Sequence, residues 1–221
     1  MDLLKKITII TALLISSVTT AQIYEVGYIT GKSNFIGDVG ETTFINPISD
    51  DWINGISLKW NRSPRHSYKM TIINTNLGAN DLNSKDPRRI ERGYNFKTPL
   101  TEISLGLEFN MLEFNLHEYS NLFSPYLYTG LIHSKYDKQI LQNGNINRIS
   151  KNNTTLGIPL VVGIKYRFFE NFIISFEAGA RYTFTDNIDG NIISTEEIDY
   201  NFGNINNNDW YMFSIMNLSY T

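Results

Sequence analysis

The sequence has no cysteine among its 221 residues. Disulfides, thiolate metal sites and thiol nucleophiles are therefore excluded, because each needs that side chain. Histidine is scarce as well, with three residues, which confines imidazole chemistry to His66, His117 and His133. An excess of positive charge is also missing. The formal net charge is −3, whereas a nucleic-acid binder wants a basic surplus, so nucleic acid is not an expected partner. No apolar run reaches the ~18 residues that a membrane-spanning helix needs. That excludes a bundle of membrane helices and leaves a membrane barrel open.

What is present starts with a targeting segment. Lys5 and Lys6 form a short basic region, Ile7 to Val18 an apolar stretch, and Thr19-Thr20-Ala21 a small-residue cleavage site. This pattern predicts a secretory signal peptide over 1–21 and an exported domain over 22–221. Gln22, not cysteine, follows the cleavage site, so no lipid is attached there.

From there the chain alternates with a period of two, the signature of strands with unlike faces. Leu156, Ile158, Leu160, Val162, Ile164, Tyr166 and Phe168 alternate with Gly157, Pro159, Val161, Gly163, Lys165 and Arg167. Phe172 to Phe184 and Glu102 to Asn110 repeat the pattern. The two longest runs reach the ~9–11 residues that a tilted strand needs to cross a bilayer. Five weaker strands complete the set: Ile23 to Lys32, Trp52 to Asn61, Ser67 to Leu77, Pro125 to Tyr136 and Asp209 to Thr221. In the last two the faces are ambiguous, because Tyr126, Tyr128, Tyr211 and Phe213 compete with their neighbours.

The expected fold is all-β: an eight-stranded antiparallel transmembrane barrel, an even count as bacterial outer-membrane barrels have. Connections alternate in length. Ser33 to Asp51, Gly78 to Thr98, Asp137 to Asn153 and Asp186 to Asn208 are long. Arg62 to His66 and Phe169 to Asn171 are tight, and Met111 to Ser124 is intermediate. In such a barrel the long loops lie outside and the short turns in the periplasm, which places both termini in the periplasm of an outer-membrane protein.

Lys59, Glu102, Glu108, Lys165, Arg167, Glu177 and Arg181 all fall on the polar face of their strands. A mid-membrane Arg or Lys facing lipid would cost ~2–4 kcal/mol, so these residues are expected in the lumen. An eight-stranded lumen is just wide enough for side chains, so mixed-sign charges read as a paired plug in preference to a pore lining. A small channel is the alternative. A soluble, lipocalin-like barrel would turn its apolar face inward instead.

Little in the sequence points to chemistry. His133 and Ser134 are neighbours on a strand, so their side chains leave on opposite faces and cannot form a nucleophile–base pair locally. No catalytic residues are assigned, and the reading is non-enzymatic. Thr185, Asn187, Asp189, Gly190 and Glu196 match the spacing of a calcium loop, but Thr occupies the first position and a strand precedes it. A turn-rich loop accounts for them, so neither metal nor cofactor is expected. Lys85, Arg88, Arg89 and Arg92 lie in an expected outside loop, where Arg could meet the phosphates of lipopolysaccharide. Asp81, Asp86 and Glu91 dilute that signal. Arg62 and Arg65 flank Pro64 in an expected periplasmic turn, which could be a rigid turn or a docking knob.

Several blocks also resemble a known family. They are Ser33 to Gly40, Lys59 to His66, Ala79 to Leu82, Phe114 to Glu118, Pro125 to Tyr128, Glu177 to Asp186 and Phe202 to Trp210. Together they are similar to the PorG-like outer-membrane barrels of the type IX secretion machinery. The resemblance implies a non-enzymatic component that attaches the periplasmic ring of that apparatus to the outer membrane, with a link to gliding motility. Relatives extend past the last strand, often with cysteines, whereas this sequence stops at Thr221. The expected partners are outer-membrane lipid, lipopolysaccharide and periplasmic ring proteins. A ring-binding surface would use the turn with Arg62, Pro64, Arg65 and His66, its arginines giving charge-assisted contacts. Phe114, Leu116, His117 and Tyr119 would supply the rest, with the apolar residues as anchors.

Overall fold

A computed structural model describes residues 24–37, 39–40, 51–118, 122–142, 145–186, 188, 192–194, 199–201 and 208–221. Its strands are β1 (Tyr24–Ile36), β2 (Trp52–Asn61), β3 (His66–Asn80), β4 (Asn95–Asn110), β5 (Phe123–Gln142), β6 (Asn145–Phe169), β7 (Phe172–Thr183), the short β8 (Ile192–Ser194) and β9 (Asp199–Asn201), and β10 (Trp210–Tyr220). A 3-10 turn (Asp81–Asn83) and one short α-helix, α1 (Pro87–Arg92), lie between β3 and β4. The eight long strands form a closed antiparallel barrel in which each pairs with its neighbours in sequence. Closure comes from β10, which pairs with β7 on one side and β1 on the other, setting Val26 opposite Tyr220 and Ile36 opposite Trp210.

Residues 62–65, 111–118, 122 and 170–171 lie at one end of the barrel, here the turn end, together with Tyr24 and Thr221. The opposite end is the loop end. β2 has the expected limits, but other strands run further. β1 continues to Ile36, β3 to Asn80 and β5 to Gln142, while β4 begins at Asn95 and β6 at Asn145. The two ends of the expected loop 78–98 and most of 137–153 are therefore ladder. Cross-strand backbone pairing carries these stretches on past the alternating wall, with register shifts between Tyr136 and Gln139. Residues 1–23, with the expected signal peptide, lie outside the described residues, as do Asn187, Asp189, Gly190 and Glu196.

Outward and inward positions alternate along every wall strand, and the two ambiguous strands are now settled. Tyr126, Tyr128, Tyr211 and Phe213 all point inward and are buried. Leu160, Val162, Ile164, Phe172 and Phe176 are exposed on the outer face, and Ile174 shares that face. Aromatic rings gather at both ends of this apolar band. Tyr24, Trp60, Tyr68, Phe109 and Tyr220 sit at the turn end, and Trp52 and Phe184 at the loop end.

The interior is layered in a way that simple alternation does not convey. The loop half is apolar, packed with Ile29, Phe35, Ile53, Ile73, Leu77, Phe96, Leu100, Phe213 and their neighbours. A second apolar cluster, Phe114, Leu116, Leu122 and Ile173, closes the turn end. The buried Glu, Lys and Arg residues lie between these two seals, while Asp51, Asp81, Asp137 and Asp209 are buried at the loop end. An interior this narrow holds side chains and little else.

Candidate functional site

The charged layer is built by inward positions of six strands. Glu108 on β4 is its hub. Its carboxylate accepts from the Lys165 ammonium at 2.7 Å and from Lys59 at 3.0 Å, with Lys69 at 3.9 Å. Lys59 also lies 3.4 Å from Glu25, which accepts from Asn61 at 2.8 Å and from Ser219 at 3.2 Å. Lys69 pairs with Glu177, and the Tyr126 hydroxyl donates to the same Glu177 oxygen at 2.6 Å. Three carboxylates and three ammonium groups thus balance inside one buried cluster. Such charges are tolerable away from water only when paired and hydrogen-bonded.

Tyr126 stands at the centre, its ring 5.9, 5.8 and 5.5 Å from the Lys59, Lys69 and Lys165 ammonium groups. Gly163 on β6 leaves room for it. A Cβ at that position would come within 2.5 Å of the Tyr126 ring, so glycine here is a matter of space.

Glu102 and Arg181 form a second pair nearer the loop end, 3.7 Å apart. Tyr211 donates to Glu102 at 2.6 Å and shares a 2.8 Å hydrogen bond with Ser134. The Arg181 guanidinium lies 4.2 Å over the Phe213 ring and donates to the Gly179 carbonyl at 2.7 Å. Arg167 sits a layer closer to the turn end. Its guanidinium donates to the Leu116 carbonyl at 3.0 Å and reaches the Glu118 carbonyl.

All seven charges read from the sequence are buried inside the barrel, and the structure adds Glu25 and Lys69. The same alternation could have found both: Glu25 lies between Tyr24 and Val26, and Lys69 between Tyr68 and Met70. The roles of Tyr126 and Tyr211 were hidden by their ambiguous strands.

At the turn end the expected docking residues separate into two sets. Phe114 and Leu116 are not on the surface: they point into the barrel mouth at 3% and 6% exposure. This corrects their expected place as external anchors. The reason is local. Phe114 N–H donates to the Pro64 carbonyl at 3.0 Å and Asn110 to the same carbonyl at 2.9 Å, which folds segment 111–118 back over the opening. The Phe114 ring then covers the Lys165 ammonium at 4.5 Å.

Arg65 is held within the chain, donating to the Met111 carbonyl at 3.1 Å and pairing with Glu113 at 3.3 Å. The His66 ring packs on Phe109 at 5.2 Å. Arg62, Pro64, Arg65, His66 and His117 are all exposed, and Arg62, Pro64 and His117 border a cleft of about 160 Å³ between residues 61–64 and 114–117. Tyr119 lies outside the described residues.

At the loop end the basic cluster is drawn into the protein's own structure. Buried Asp81 accepts from Arg92 Nε at 2.8 Å, from the Gly40 N–H at 2.8 Å and from the Tyr94 N–H at 3.0 Å. Arg89 donates to the Gly40 carbonyl at 2.7 Å. Lys85 and Arg88 stay exposed. On β5, Ser134 is buried and bonded to Tyr211 while His133 faces out, which keeps the two side chains apart. Among the described residues no group of His, Asp and Glu is placed to hold a metal ion.

This architecture is that of small outer-membrane barrels. Neisserial surface protein A shares the fold at a TM-score of 0.50 with 11% identity, over 89% of this chain and 96% of that one. The N-terminal barrel domain of Pseudomonas aeruginosa OprF aligns over 89% of this chain and 96% of its own, with 12% identity and a TM-score of 0.45. The Yersinia pestis attachment invasion locus protein Ail covers 90% of this chain and 96% of its own at 9% identity, with a TM-score of 0.42. None of the curated proteins matches the sequence. A family model does, over residues 4–221, and the chain belongs to that family, described as Domain of unknown function (DUF6089).

Proposed function

We propose that the protein is a non-enzymatic outer-membrane barrel that anchors the periplasmic ring of the type IX secretion machinery, with both termini and the short turns in the periplasm. The observation that carries the anchor reading is the barrel's combination of an apolar outer band and a lumen stoppered at both ends. A barrel so filled offers a membrane foothold and no passage for a folded cargo. The same filling weighs against the small-channel alternative.

The secretion assignment rests on the sequence resemblance. Two of the blocks that carry it, Lys59 to His66 and Phe114 to Glu118, meet at the turn end around the cleft that Arg62, Pro64 and His117 border. The docking surface is accordingly this exposed rim. Phe114 and Leu116 support it from beneath, and Arg62 gives a charge-assisted contact to a partner carboxylate.

The test is affinity purification of the barrel from gently solubilised membranes, comparing the native chain with Arg62→Glu and His117→Glu. Ring components that co-purify with the native chain and vanish with the variants support the anchor. A barrel that purifies alone, in cells whose secretion survives its deletion, rejects the secretion role.

A further inference from the structure

The outer face is not uniformly convex. A groove of about 750 Å³ crosses it obliquely, from Lys32 and Trp52 near the loop end to Pro125 and Met111 at the turn end. Register explains its course. Lys32 lies opposite Ser214, Ser214 opposite Ala178, and Ala178 opposite Val162, so one cross-strand row carries small side chains across β10 and β7. The adjacent row carries Met216, Phe176 and Ile164, which form a wall. Because barrel strands tilt by ~35–45°, such a row climbs from one side of the apolar band to the other.

Its loop-end mouth is chemically distinct from the rest. The Lys32 ammonium is held 4.1 Å over the Trp52 ring, a cation–aromatic pairing at the level where interfacial tryptophans sit. No hydrogen bond to another described residue occupies the Thr30 or Ser214 hydroxyl, and both residues line the groove. An ammonium, two hydroxyls and a long apolar trough fit one kind of ligand: a phosphate, ester oxygens and an acyl chain in sequence. Within a bilayer the apolar lining alone gives no preference, since lipid tails are as apolar as leucine. The selectivity comes from filling the depression and from charge at the mouth.

We propose that this groove holds one acyl chain of lipopolysaccharide's lipid A, with a phosphate on Lys32 and the ester region against Thr30 and Ser214. The site rests on the reading above that the loop end faces outward, into the lipopolysaccharide leaflet.

The test is native mass spectrometry of the purified full-length barrel titrated with lipid A, and separately with phosphatidylglycerol. The native chain is expected to retain one lipid A per barrel. Ala178→Phe fills the trough from the outer face, and Lys32→Gln removes the charge; each is expected to weaken retention about tenfold, a difference of ~1.4 kcal/mol. Leu105→Phe, on another part of the outer face, is expected to change nothing. Unaltered retention in Ala178→Phe, an equal loss in Leu105→Phe, or equal retention of phosphatidylglycerol overturns the site. Each result leaves the membrane barrel standing. Failure of the native chain to fractionate with the outer membrane would overturn the barrel's location, and the site with it.

Discussion

Glu108 and Lys165 stand 2.7 Å apart on β4 and β6, neither side chain reaching solvent. Each also depends on the other's neighbours, since Glu108 serves Lys59 as well and the Lys165 ammonium is roofed by Phe114. Removing the carboxylate would strand ammonium groups in a water-poor interior. Glu108→Gln is expected to destabilise the barrel by on the order of 3–5 kcal/mol, the cost of breaking a buried pair from one side. Adding Lys165→Met should recover part of that loss, because it removes one of the stranded charges. Heat-modified gel mobility across a temperature series reads both, and a Glu108→Gln barrel as stable as the native one would reject the paired cluster.

Two apolar seals enclose the charges, so opening one should not open the barrel. The native protein in planar bilayers is expected to show no steady conductance. Phe114→Ala together with Leu116→Ala should stay silent as well, because Phe35, Phe96 and Leu100 still fill the loop half. Stable ion-selective steps in either protein would identify a channel.

The outer band makes a prediction about the solvent around it. Leu105 is 62% exposed in the middle of that band. Leu105→Arg is expected to lower folding stability in lipid vesicles by ~2–4 kcal/mol, the mid-bilayer cost of an arginine. The same substitution at Leu82, exposed beyond the barrel wall, should be near neutral. Equal effects at the two positions would argue against a bilayer around the band.

Asp81 ties residues 40, 92 and 94 together over the loop end. Asp81→Ala is expected to release α1 and speed tryptic cleavage at Arg88 and Arg89 severalfold, with barrel melting nearly unchanged. Cleavage at the native rate would mean that α1 is held by other contacts.

The wall was legible in the sequence because membrane-type strands repeat one rule, and every outward position from Leu156 to Phe168 obeys it. The same rule places Lys59, Glu108 and Arg181 inside. It fails for Tyr126 and Tyr211, since tyrosine suits an aromatic girdle and a buried hydrogen bond equally well, and only register decides. It fails for Phe114 and Leu116 for a different reason. They lie in a connection without period, and their inward turn depends on Pro64, some fifty residues earlier, accepting bonds from Phe114 and Asn110. Strand extension past the band was hidden too, because a ladder held by backbone bonds needs no pattern in its side chains.

The pairing of β1 with β10 has a consequence for how this molecule comes into being. The first wall strand to be synthesised takes its second partner from the last, so no partial chain can satisfy both edges of β1. Until Trp210–Tyr220 arrives, the growing sheet carries two unpaired rims and a largely apolar back, the features that drive chains to stick to one another. Contacts between residues so far apart in the chain are also slow to form, because loop-closure entropy must be overcome before they reward it. Assembly is therefore expected to be all-or-none, waiting on the final strand, and the chain must be kept from its own kind in the interval.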